Sequence, residues 1–152
     1  MTHTAVLRFV PAYDSRHLVD DPTGAPALMV GRDAFHKVKR DEPTPVFVDH
    51  DDSDVVGHVR DMWVHDDVDY GTRVRAWWFA SVDLDDPPGW LKRGASVSWG
   101  FKHLHSYDVA GTTVLVSCLL DEISILSPVF VDHDDSDVVG HVRDVSVLAR
   151  RA

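Results

Sequence analysis

Apolar and polar residues alternate in short stretches along most of this chain, a period near two that marks strands more than helices. Residues 6–11 read as a first strand, and 20–26, with two prolines and a glycine, as a loop. Asp33 is placed to cap a short helix over 34–40: Phe35 and Val38 fall three apart on one face, and Pro43 and Pro45 bar its continuation. A buried strand over 46–50, an acidic turn over 51–54 and a returning strand over 55–64 come next. Residues 72–79, holding Trp77 and Trp78, predict another strand after a turn at 69–71. In 86–94, Pro87 and Pro88 suit the start of a single helical turn within a loop, and Gly94 suits its end. Three further stretches rich in strand formers are 96–102, 114–120 and 123–126. The expected class is mainly β with a few short helices (α+β), and a closed or barrel-like sheet is favoured over a sandwich.

The 17 residues from Pro45 to Asp61, PVFVDHDDSDVVGHVRD, recur unchanged from Pro128 to Asp144. Two copies under ordinary constraint drift apart at exposed sites such as Ser53 and Ser136, so perfect identity indicates a recent duplication or a splice, not an ancient two-fold fold. The expected organisation is one domain over 1–128 and a C-terminal segment over 129–152 that carries the duplicate. Identical segments also hold identical pairing information, so the second can compete for the place of the first in a sheet.

Composition narrows the function. A length of 152 residues suits one domain, and a hydrophobic share of 44% supplies a core. The net charge of −10 opposes attraction to nucleic-acid phosphates and anionic membranes, so neither is an expected partner. The apolar runs are too short to span a bilayer, residues 1–9 show no export signal, and a single cysteine, Cys118, suits a reducing compartment.

Three residues stand out chemically. Alternation through 94–101, GASVSWGF, puts Val97, Trp99 and Phe101 on one side and Ser96, Ser98 and Gly100 on the other, with the small hydroxyls toward a groove. A nucleophilic serine needs such a rigid strand and a nearby glycine that lets a substrate backbone approach. His50 shares a face with Val46 and Val48 at a strand end, where an imidazole can take and return a proton near neutrality. Glu122 opens EISIL, and a carboxylate in such apolar sequence is costly unless it accepts hydrogen bonds, as it does when it holds an imidazole N–H. Its neighbour Asp121 points the opposite way. Plainer readings exist: a solvent-side strand serine, a turn-capping histidine, a rim carboxylate. A calcium loop over 49–60 is excluded by Asp54 where glycine is needed and Arg60 where glutamate is needed. A zinc site built from His50, His58 and nearby aspartates matches no familiar spacing, and a solvated acidic turn is the better reading.

In order along the chain, Ala34-Phe35, Asp49-His50 followed by Val56-Gly57, S-x-G-F at 98–101 and E-I-S-I-L-S-P at 122–128 resemble the prohead (capsid-maturation) serine proteases of tailed phages, relatives of the herpesvirus assemblins. The resemblance spans about residues 6 to 128. It implies an antiparallel closed or barrel-like sheet and a serine endopeptidase in which Ser98 is the nucleophile, His50 the base and Glu122 its orienting acid. It further implies cleavage of phage scaffold or major capsid protein, self-cleavage, and a place inside the assembling prohead in the host cytoplasm. No cofactor or metal is expected, and a homo-oligomer is left open. The pattern departs after Pro128, where the duplicate intervenes. Assemblins use a second histidine in place of the carboxylate, which makes His133 an alternative to Glu122. The rival from another class is a noncatalytic capsid-assembly or scaffold protein that keeps the protease fold, and a metal-binding β module ranks last.

Overall fold

The alternating stretches become long strands. The computed structural model describes residues 2–13, 28–35, 42–69, 74–109, 111–128 and 140–148. These residues form eight strands: β1 (Thr2–Tyr13), β2 (Leu28–Gly31), β3 (Pro45–Val48), β4 (Asp51–Asp69), β5 (Val74–Asp85), β6 (Ser96–Val109), β7 (Thr112–Ile125) and β8 (Gly140–Leu148). All eight join one sheet in the order β2-β1-β5-β4-β3-β7-β6-β8, with further pairings β2–β7 and β1–β8.

Two parts of the expected fold class are corrected. The first is the helices, since no described residue is helical. Arg32 to Phe35 form a turn, with Ala34 N–H donating to the Gly31 carbonyl at 3.1 Å; residues 36–40 lie outside the described residues. Ala34 and Phe35 are both buried, and the Phe35 ring packs between Trp78 (4.8 Å between centroids), Phe9 (5.8 Å) and Trp99 (5.9 Å). Burial of that ring, which contributes about 2–3 kcal/mol, outweighs the weak local capping signal. Residues 86–94 hold turns in place of a helical one, closed by Leu91 N–H to Pro88 and Ala95 N–H to Lys92.

The second correction concerns the sheet, which is mixed, so the expected barrel-like antiparallel sheet is not what forms. β2 runs parallel to both β1 and β7, and β3 runs parallel to β7. β2 and β3 are four-residue strands, and β2 follows its parallel neighbour β1 after residues 14–27, the length of crossover that a parallel pairing needs.

The core takes one face of each strand: Ala5, Leu7 and Phe9 from β1, Trp78, Ala80 and Val82 from β5, Val97 and Trp99 from β6, Ile123 and Ile125 from β7. Adjacent Trp77 and Trp78 point to opposite faces, as strand geometry demands. Trp77 joins Phe79, Val6 and Trp63 in a separate cluster, with the Arg8 guanidinium 4.1 Å from its ring centre.

The two identical segments take different places. The first supplies β3, a tight turn and the start of β4, which pairs with β3 and β5. Of the second, residues 140–144 begin β8, which pairs with β1 (Thr2↔Leu148 through Arg8↔His141) and with β6 (Ser96↔His141, Val97↔Gly140). His133 lies outside the described residues.

Candidate functional site

The stretch EISILS at 122–127 organises the site. Ile123 and Ile125 are buried in the core, which turns Glu122 and Ser124 to the other face of β7. Directly across the β6–β7 ladder, Gly100 opposes Glu122 and Ser98 opposes Ser124. Opposed residues in an antiparallel pair share a face with Cα atoms about 5 Å apart. Ser98, Gly100, Glu122 and Ser124 therefore form one small polar patch.

On its other side β7 is flanked by β3, with Phe47 level with Ser124 and Val48 with Ile125. Val48 pairs with Asp51, so Asp49 and His50 alone make the turn from β3 into β4. Their φ angles are 53° and 60°, the left-handed values that a type I′ hairpin turn requires at both central positions. Aspartate tolerates that region; histidine does so at a cost of about 1 kcal/mol. Beyond the turn the register slips, so that Asp52, Ser53 and Asp54 fall between the paired residues Asp51 and Val55.

Five hydrogen bonds tie this strained turn to β7 and the residues after it: Asp49 N–H to the Ile125 carbonyl (3.1 Å), His50 N–H to Ser124 Oγ (3.0 Å), His50 Nδ1 with Glu122 Oε1 (2.7 Å), and Ser127 N–H and Oγ–H to the two Asp49 oxygens (2.7 Å each). Ser124 Oγ–H completes the set by donating to Glu122 Oε2 at 2.7 Å. With Glu122 ionised, its oxygen accepts the Nδ1 proton and leaves the lone pair on Nε2. That is the tautomer a general base needs. The His50 side chain keeps 31% of its surface exposed and Glu122 only 14%, so the imidazole is reachable while its carboxylate partner is sheltered.

The structure thus brings His50 and Glu122 into contact and sets Ser98 across from the serine that binds both. Ser98 itself is 2% exposed, so its hydroxyl is enclosed and does not face an open groove. Three contributors went unassigned in the sequence: Asp49, Ser124 and Ser127. The period of two that puts Ser124 beside Glu122 was a usable signal, whereas the bonds of Asp49 to Ser127 depend on a turn geometry that no local pattern reveals.

The acidic run beyond the turn is local in its effects. Ser53 donates Oγ–H and N–H to Asp51 Oδ1 (2.6 and 3.0 Å), which holds the Asp51 carboxyl below its ordinary range. Among the described residues no group of three His, Cys, Asp or Glu is arranged to hold a metal ion.

The chain matches no protein-family model and no curated protein sequence.

Proposed function

We propose that this protein is a serine endopeptidase with Ser98 as nucleophile, His50 as general base and Glu122 as the carboxylate that orients the base. The observation that carries the reading is the His50–Glu122 contact: a histidine is held in a left-handed conformation with Nδ1 against a sheltered carboxylate, and Ser98 lies diagonal to that carboxylate across the β6–β7 ladder. Strained backbone kept in place by several hydrogen bonds is common where a side chain must be aimed. In the reaction His50 Nε2 takes the Ser98 proton as Oγ attacks the peptide carbonyl. The imidazolium then protonates the departing amine, and water hydrolyses the acyl-enzyme by the reverse proton path. By the likeness of its motifs to prohead proteases, the substrates are segments of phage scaffold or capsid protein, including the protease's own chain.

Because Ser98 is enclosed, a substrate reaches it only after the surrounding chain shifts. The same burial favours a second reading, a noncatalytic capsid-assembly protein that keeps the protease fold. Mass spectrometry of the chain coexpressed with a phage capsid protein tests both. Cleavage by the wild type that disappears in Ser98→Ala supports the protease. Intact capsid protein with the wild type favours the assembly role, and unchanged cleavage by Ser98→Ala removes Ser98 as nucleophile.

A further inference from the structure

We infer that Ser124 is a positioning residue of this site, the hydroxyl that fixes His50 and Glu122 to one another; the inference rests on the protease reading for its functional meaning. Ser124 is fully buried near the C-terminal end of β7, where a hydroxyl is costly unless its proton and its lone pairs are used. Here both are. Its proton goes to Glu122 Oε2 and its oxygen receives the His50 N–H.

The direction of this chain matters. An amide N–H can only donate, so the Ser124 oxygen must accept on the His50 side, and its single proton is left for the carboxylate. Glu122 then has both oxygens engaged, Oε1 with the His50 ring and Oε2 with Ser124. The terminal torsion of a glutamate is broad when unconstrained. Two contacts on opposite oxygens confine it. The same hydroxyl grips the main chain of His50, a residue whose positive φ is held by surrounding bonds. Ser124 therefore acts on the ring twice, through its backbone and through its acceptor. It also separates the two serines of the patch by role: the Ser124 proton is committed to Glu122, which leaves Ser98 as the serine to be deprotonated by the imidazole.

The test uses the full chain labelled with ¹⁵N-histidine. In the wild type, long-range proton–nitrogen spectra are expected to show His50 as a single Nδ1-protonated tautomer with a low-field Nδ1 proton. In Ser124→Ala the low-field proton is lost and the tautomers mix, while far-UV circular dichroism stays that of the wild type; Ser124→Thr, which keeps the hydroxyl, restores the signature. Labelling of Ser98 by a small fluorophosphonate falls at least tenfold in the Ala variant and recovers in the Thr variant. Should Ser124→Ala lose the fold, Ser124→Cys, nearly isosteric with a weak donor, is expected to mix the tautomers in the same way. A wild-type tautomer pattern in the Ala or Cys variant overturns the inference, whatever the labelling. Wild-type chain that fails to label, with the His50 signature still dependent on Ser124, upholds the positioning and overturns the protease reading.

Discussion

Gly100 sits directly across the β6–β7 ladder from Glu122, and a Cβ at Gly100 would fall 2.8 Å from Glu122 Oε1, the oxygen that meets His50. The space above Gly100 is thus filled by the carboxylate. Gly100→Ala is expected to push Glu122 aside at the expense of its bond to His50. A displacement near 1 Å costs about a hundredfold in rate, so on the proposed protease reading cleavage should collapse while the thermal midpoint moves by only a few degrees. Equal losses of stability and activity would contradict this account of Gly100.

Gly57 answers to a different constraint. A Cβ there would lie 2.0 Å from the Asp83 carbonyl oxygen, so β4 and β5 approach too closely for any side chain. Backbone cannot yield as a glutamate side chain can. Gly57→Ala should destabilise by about 3 kcal/mol, read as a lower denaturant midpoint at unchanged m-value.

The turn histidine should show a conflict between stability and activity. His50→Ala and His50→Gly both remove the imidazole and, on the proposed protease reading, should both abolish cleavage, but only glycine relieves the positive φ of 60°. The Gly variant is expected to be more stable than the Ala variant by about 1 kcal/mol, measured by chemical denaturation. Equal stabilities would mean that the turn carries no strain at this position.

Burial raises the Cys118 thiol from its ordinary 9.0 to about 12. The folded state thus keeps the proton where the unfolded chain loses it. The contribution is complete below pH 9.0 and is lost as pH rises toward 12. Ellman's reagent should fail to label the native protein at pH 8 and react fully in denaturant, and Cys118→Ala should flatten the alkaline loss of stability. Rapid labelling of the folded chain would show that the thiol is accessible.

A chain ending at Pro128 lacks β8 and leaves residues 2–8 of β1 without that partner. Unpaired edges invite association. The shortened protein should unfold at lower denaturant and form larger species on size exclusion. A gain in stability would instead show the duplicate competing with the first copy for its place.

The residues that alternate most regularly were the most legible. Val97 and Trp99 lie in the core and Ser98 turns from them, as the pattern required. What the pattern misjudged is enclosure, because a strand's polar face can be covered by chain that is distant in sequence. The sequence suggested two strands with the second opening at Glu122, yet one strand, β7, runs through Asp121 and Glu122, and Glu122 is satisfied by Ser124 on its own strand and by His50 from a distant turn. Ala34 and Phe35 looked helical because Asp33 precedes them; their place was decided by the rings of Phe9, Trp78 and Trp99, which no window of local sequence contains.

The two identical segments have a consequence for the order of folding. Residues 45–61 leave the ribosome with β5 close behind, so the first copy can be taken into the β3–β4–β5 ladder before residues 128–144 are made. Closing β1 against β8 joins Thr2 to Leu148 and must await the slowest encounter in the chain. During synthesis, then, timing breaks a tie that the sequence leaves even. Refolding from denaturant removes that timing, and the full-length chain should then fold in more phases than one shortened to Pro128.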